Sequence, residues 1–275
     1  MLIDMHTHLR KLPGYAERLV EASKSIGVHK FVTFGGGPDA DWASNNEVLA
    51  VAERFPGTII PFAYAALGKV TPRQLTAYVK QGFKGFKCMN PLKPYNDDAF
   101  MPLYAKMEEL GVPVLFHTGI VGRFGDQRRF DIDSSRHKVI FLDRIARKFP
   151  GLTIIGAHLG NPDFGDAAMM TRWHPNLYFD LSGSSLKAKK PQFFDELFWW
   201  RAPEPLAGRR VLGDYSTDPL ARGPWDKIVF GTDVDPEKVA EVKADYDLLV
   251  SKIKLGAKER AAIFGGTAAK ILGLA

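Results

Sequence analysis

Eight short apolar runs recur along the chain, at residues 2–6, 30–34, 58–63, 82–88, 113–117, 153–158, 176–181 and 227–232. Each is rich in Val, Ile, Phe or Tyr. None shows the strict apolar–polar alternation of a half-exposed strand, so each reads as a parallel strand buried on both faces. Between them lie helical patterns at 14–26, 43–55, 71–81, 99–110, 138–149 and 235–252, among others. Their ends carry the expected punctuation. Thr71-Pro72 supplies an N-cap followed by a first-turn proline, while Phe55-Pro56-Gly57 and Phe149-Pro150-Gly151 stop helices just before a strand.

Strand and helix alternating eight times, joined by right-handed crossovers, predict a closed (β/α)8 TIM barrel. The competing topology, a doubly wound open sheet, calls for a glycine-rich phosphate turn after an early strand. Phe34-Gly35-Gly36-Gly37-Pro38 does not follow the G-x-G-x-x-G spacing, which weakens that alternative. No linker, charge block or low-complexity tract divides the chain, so residues 1–275 are expected to form a single domain.

A 45% hydrophobic and 25% charged composition fits a folded domain with a substantial core and excludes a disordered chain. The formal net charge of +6 is spread over scattered clusters such as Arg128-Arg129, Lys187-Ala188-Lys189-Lys190 and Arg209-Arg210 rather than gathered in a stripe. Nucleic acid is therefore not an expected partner, whereas a small anionic substrate is compatible with this balance. Cys88 is the only cysteine, which rules out an intramolecular disulfide and a cysteine-based zinc site. The sequence shows neither a basic leader nor an apolar run long enough for a membrane span, and a soluble cytoplasmic protein is expected.

The barrel gives the histidines a positional test, because chemistry in this fold gathers at the C-terminal ends of the strands. His6 and His8 end the first run, His117 the fifth and His158 the sixth, and Asp233 follows the eighth. His29 and His174 precede strands and belong to the opposite, structural face. His137 follows a long loop and reads as a cap or surface residue. Residues i and i+2 of a strand share a side, so His6 and His8 can bind one cation together. With His117 and Asp233 the ion has three nitrogens and a carboxylate oxygen, a set that suits Zn2+ first and Mn2+ or Fe2+ as alternatives. Such a cation lowers the pKa of a bound water and polarises a carbonyl. In that chemistry Asp233 can take a proton from the water, and His158 either joins the ligands or remains free for proton transfer.

Asp4-x-His6-x-His8, His117, Ala157-His158-x-Gly160 and Phe230-Gly231-Thr232-Asp233 together resemble the amidohydrolase superfamily. More narrowly they resemble the amidohydrolase-related group that includes aminocarboxymuconate semialdehyde decarboxylase. Gly82-Phe83-Lys84-Gly85-Phe86-Lys87 and the segment 263–274 are also similar to that group. The resemblance implies His6, His8, His117 and Asp233 as ligands of one metal and His158 as a catalytic residue, while the chemistry of the site makes Asp233 a catalytic base as well. Hydrolytic relatives with two metals use a carboxylated lysine on the fourth strand. Lys87 lies near the end of that strand, but a lysine meeting a substrate anion or a neighbouring carboxylate is the preferred reading and a second metal is not expected.

Lys87, Arg123 and Arg128 are the candidates for substrate binding. The last two sit in the long loop 121–136, a candidate lid over the mouth. An aromatic cluster at 193–200 is expected to pack on the barrel, with a cover over the site or a homodimer contact as alternatives. The expected activity is metal-dependent hydrolysis of a lactone, amide or ester in a small anionic molecule. Decarboxylation of an aromatic or unsaturated acid at the same site is the alternative, and a barrel that only binds a ligand or partner is a third reading.

Overall fold

The period-two alternation of the strand side chains separates two cores. A computed structural model describes residues 1–36, 41–123, 131–183, 189–201 and 223–274. Its strands are β1 (Leu2–His8), β2 (Val28–Phe34), β3 (Ile59–Pro61 with Ala63–Tyr64), β4 (Phe86–Cys88), β5 (Val114–Phe116), β6 (Ile154–Gly156), β7 (Leu177–Asp180) and β8 (Ile228–Val229). Phe31, Phe86, Phe116, Phe179 and Phe230 point outward into a layer shared with helix residues such as Leu75, Leu142 and Val242. Their neighbours Val32, Leu115, Ile155 and Val229 join Ile3, Met5, Phe34 and Phe62 in an inner cluster. Both clusters are almost wholly removed from water, which is the main source of stability in such a barrel.

All strand pairings are parallel and sequential. The third strand is interrupted at Phe62, where the backbone changes partner: Phe62 N donates to Thr33 O at 2.9 Å and Ala63 N to Gly85 O at 2.9 Å. Closure between the eighth and first strands is made by Met5 N on Phe230 O (2.8 Å) and Asp233 N on His6 O (2.7 Å). The parallel α/β barrel expected from the apolar runs is thus the observed architecture.

From the fourth onward the strands are shorter than the runs that announced them, whereas β1 and β2 extend past theirs. Gly82, at φ 113°, takes the left-handed conformation that terminates the preceding helix, so the fourth strand begins only at Phe86. At the other end of the chain Lys227 belongs to a short 3-10 turn, Pro224–Lys227, which delays the eighth strand. The helices between strands are α1 (Tyr15–Ser25), α2 (Asn45–Arg54), α3 (Pro72–Gln81), α4 (Met101–Glu109), α5 (Phe141–Lys148) and α6 (Phe164–Trp173), followed by α7 (Pro191–Leu197) and α8 (Val239–Lys252). Reciprocal side-chain and backbone hydrogen bonds start α2, between Ser44 and Glu47, and α3, between Thr71 and Gln74. Within the aromatic segment, Phe194 and Phe198 are buried and pack on Trp225, as expected of a cluster that covers the barrel. No helix among the described residues is long and apolar enough to cross a membrane.

Candidate active site

The alternation that builds the inner core also aims the chemistry. Lys87 lies between the outward Phe86 and Cys88, while His117 and Asp180 each follow an outward phenylalanine, so all three face the barrel axis. In β1 the register slips: Asp4 pairs with Phe31 but Thr7 pairs with Thr33, three steps against two. Strict alternation would separate Met5 from His6. This bulge lets Met5 stay in the inner cluster while the His6 ring lies 5.4 Å from inward Phe34. His8 then follows on the same side, 4.6 Å from Phe34.

Ligand-type atoms converge here. Nε2 of His6 and Nε2 of His8 lie 3.4 and 3.0 Å from Asp233 Oδ1, and one atom from each of these residues falls within 4.8 Å of the others. The second carboxylate oxygen, Oδ2, is 3.7 Å from His158 Nε2. His117 stands outside the close trio and enters through His158, its Nδ1 being 3.3 Å from His158 Nε2. Lys87 Nζ approaches His6 Nε2 at 3.2 Å and lies over the Phe34 ring at 4.6 Å.

A buried carboxylate underlies the histidines. Asp180 Oδ2 accepts from His6 Nδ1 at 2.8 Å, and its Oδ1 accepts from the His158 backbone N–H at 2.9 Å. The first bond keeps the His6 proton on Nδ1 and leaves the Nε2 lone pair facing Asp233 and Lys87. Gly231 makes room for this pair, since a Cβ there would sit 3.0 Å from His6 Cβ and 3.1 Å from Asp180 Cβ. Asp4 fastens the adjoining strand ends by accepting from His6 N (3.0 Å), Thr232 N (3.1 Å) and Thr232 Oγ1 (2.6 Å).

Two of the residues at the strand ends are held in the left-handed region, His158 at φ 60° and Asp233 at φ 50°. Each such non-glycine conformation costs on the order of 1–3 kcal/mol and is retained where surrounding contacts fix it. At His158 the bond to Asp180 does so. At Asp233 the backbone bond to His6 does.

Burial sets the protonation states. It holds His8 down at about 3, despite the opposing pull of Asp233, and depresses His117 and His158 as well. These imidazoles are therefore neutral near pH 7 and carry free lone pairs. Burial raises Asp180 and Asp233, but the neighbouring histidines outweigh it and both end below the usual carboxylate range. Desolvation lowers Lys87 to about 8, against the pull of Asp233 and Asp180, which leaves it mainly protonated at neutral pH. Asp4, by contrast, is pushed up to about 7 by burial even against its three donors.

Neutral imidazole lone pairs and an ionised carboxylate within one small volume fit a divalent cation. The chemistry of the donors supports this. Of the residues expected from the sequence, His6, His8 and Asp233 are brought together directly, with His117, His158 and Lys87 around them. Arg123 is exposed, and none of its contacts among the described residues reaches the histidines; Arg128 lies outside the described residues. His29 and His174 hold structural bonds at the opposite face, to Leu2 N and Asp143. His137, expected as a cap or surface residue, is buried; its Nε2 accepts from Asn90 N at 2.9 Å.

Sequence reasoning passed over Asp180 and Ser182, and it quoted Asp4 in the Asp4-x-His6-x-His8 motif without giving it a role. The signal for Asp180 was present, because it sits near the end of the seventh apolar run and the same strand-end test applies. Asp4 lies inside the first apolar run, which reads as buried on both faces, and beside the His-x-His pair.

The fold and this ligand group define a (β/α)8 barrel with a candidate metal centre at its catalytic face. The chain belongs to the amidohydrolase family, whose profile matches residues 3–274. No protein of curated function matches it by sequence. Among solved structures, it is similar to an uncharacterised TIM-barrel protein from Bordetella bronchiseptica, at 20% identity and TM-score 0.67, covering 99% of this chain and 98% of that one. A probable 2-pyrone-4,6-dicarboxylic acid hydrolase from Acinetobacter baumannii, with citric acid bound, matches at 12% identity and TM-score 0.64, covering 99% of both chains. A 5-carboxyvanillate decarboxylase from Sphingomonas paucimobilis matches at 13% identity and TM-score 0.62, covering 100% of this chain and 99% of that one. At these identities the likeness is one of fold.

Proposed function

We propose that this protein is a metal-dependent hydrolase that opens a lactone, or cleaves an amide or ester, in a small carboxylate-bearing molecule. The observation that carries this reading is the position of Asp233. One of its oxygens faces Nε2 of His6 and His8, and the other faces His158. In this reading His6, His8 and Asp233 hold a divalent cation, zinc being the first choice, and His117 completes the set. When bound, the cation supplies Lewis acidity towards the substrate carbonyl and lowers the pKa of a water.

The chain's own groups handle the proton. Asp233, held below the usual carboxylate range, accepts a proton from the attacking water at Oδ2. His158 Nε2, 3.7 Å away, receives it and passes it to the departing oxygen or nitrogen. Lys87 supplies a fixed cation on the barrel axis, which favours an anionic substrate over a neutral one.

Decarboxylation is the second reading. It is favoured by the proton-carrying position of His158 and by the fold shared with a 5-carboxyvanillate decarboxylase. Incubating metal-loaded protein with carboxylated lactones and with hydroxy-aromatic acids separates the two. Hydrolysis predicts acid release from the first panel without loss of carbon. Release of CO2 from the second panel, with the lactones untouched, would overturn it.

A further inference from the structure

Ser182 is joined to the site by side-chain bonds that the proton transfer above does not use. Its hydroxyl lies 2.5 Å from Asp180 Oδ1, 2.8 Å from His158 Nδ1 and 3.4 Å from His6 Nδ1. Its backbone N–H also reaches Asp180 Oδ1, at 2.9 Å. Asp180, Ser182 and His6 are each shielded from water, so these groups must satisfy one another.

Counting protons decides the direction of each bond. An ionised Asp180 can only accept, and a hydroxyl has one proton to give. The short contact therefore fixes Ser182 as donor to Asp180 Oδ1. Its lone pairs are then turned towards His158, whose Nδ1 must carry the proton in order to bond. The His158 ring has one proton when neutral, so its Nε2 is left with a lone pair. That lone pair faces His117 Nδ1 and Asp233 Oδ2. Gly183, next in sequence and at φ 93°, keeps this edge of the ring clear, since a Cβ there would lie 3.3 Å from His158 Nδ1.

We infer that Ser182 is a positioning residue that locks His158 in the Nδ1–H tautomer, with Asp180 as the carboxylate behind both His158 and His6. His158 then rests as a proton acceptor at Nε2 and becomes a donor only after taking a proton. The inference rests on the hydrolase reading for its catalytic consequence, but the tautomer itself does not depend on that reading.

The test uses full-length protein labelled with 15N-histidine, with Ser182→Ala and Ser182→Thr variants. In wild type, long-range 15N–1H spectra are expected to show His158 protonated at Nδ1, assigned by loss of its signals in His158→Asn. Ser182→Ala is expected to shift this signal towards the Nε2–H or mixed tautomer. It is also expected to lower kcat about 10–100-fold with KM nearly unchanged, the range typical of lost partners behind a site histidine. Ser182→Thr, which keeps the hydroxyl, is expected to restore both.

An Nε2–H tautomer in wild type, or an unchanged Nδ1–H signal in folded Ser182→Ala, would overturn the inference. If no lactone or ester is turned over by wild type, the hydrolase reading fails and the spectra alone decide the role of Ser182. Should Ser182→Ala not fold, the same spectra on Ser182→Cys, a weaker donor of similar size, are expected to show the partial shift, and an unchanged signal there would overturn the inference equally.

Discussion

At the scale of single residues, a buried carboxylate holds His6 and His158 in one orientation. His6 keeps its Nε2 lone pair available only while Asp180 takes the proton at Nδ1. Asp180→Asn keeps the shape but removes the charge, and it leaves an amide whose N–H2 can no longer accept. It is expected to weaken metal affinity about 10–100-fold with the fold retained, read by titration with a competing chelator. Unchanged affinity would show that His6 is oriented by something else. The strand-end histidines and Asp233 were legible in the sequence, because a barrel sends chemistry to one end of its strands. Asp180 was equally legible by that rule but does not stand out by residue type, as an aspartate at the end of a run also reads as a turn former. Ser182 and the left-handed turn at His158 were not legible, since both depend on contacts between residues far apart in the chain.

At the scale of elements, periodicity located all eight strands but overstated most of them. The difference lies in backbone geometry that hydropathy does not encode, such as the left-handed Gly82 ahead of the fourth strand and the kink at His158 after the sixth. α6 and α7 were not among the helices named from the sequence; their apolar positions are interrupted by glycine and acidic residues or fall in a short, aromatic-rich stretch. The cap of α3 was legible, and it carries a prediction. Thr71→Ala removes the acceptor for Gln74 N, with an expected cost of about 1 kcal/mol in urea unfolding. No change in the midpoint would mean the helix start is held by packing alone.

His174 ties the approach to β7 onto α5 through Asp143 at 2.8 Å. Burial lowers its pKa, and the Asp143 contact only partly offsets this. The folded protein therefore binds fewer protons at this site than the unfolded chain below the ordinary histidine value, about 6.5. Stability from this site is full above that value and is lost as pH falls through the lower, folded value. Unfolding measured at pH 7.5 and 5.5 should show His174→Asn losing less stability on acidification than wild type. An equal or greater loss in the variant would contradict the assigned direction.

At the scale of the whole molecule, the barrel brings residues from its first, fourth, fifth, sixth and seventh strands, with Asp233 after the eighth, into one volume. That is why the ligands are scattered from His6 to Asp233. If this volume holds a functional divalent cation, elemental analysis of the purified full-length chain will detect it. Wild type is expected to carry a single stoichiometric ion, and His8→Ala and Asp233→Asn, purified in parallel and shown to be folded, are expected to lose it. Wild-type protein without a stoichiometric ion even after incubation with zinc, manganese or iron, or variants that retain it in full, would contradict a metal centre at this site.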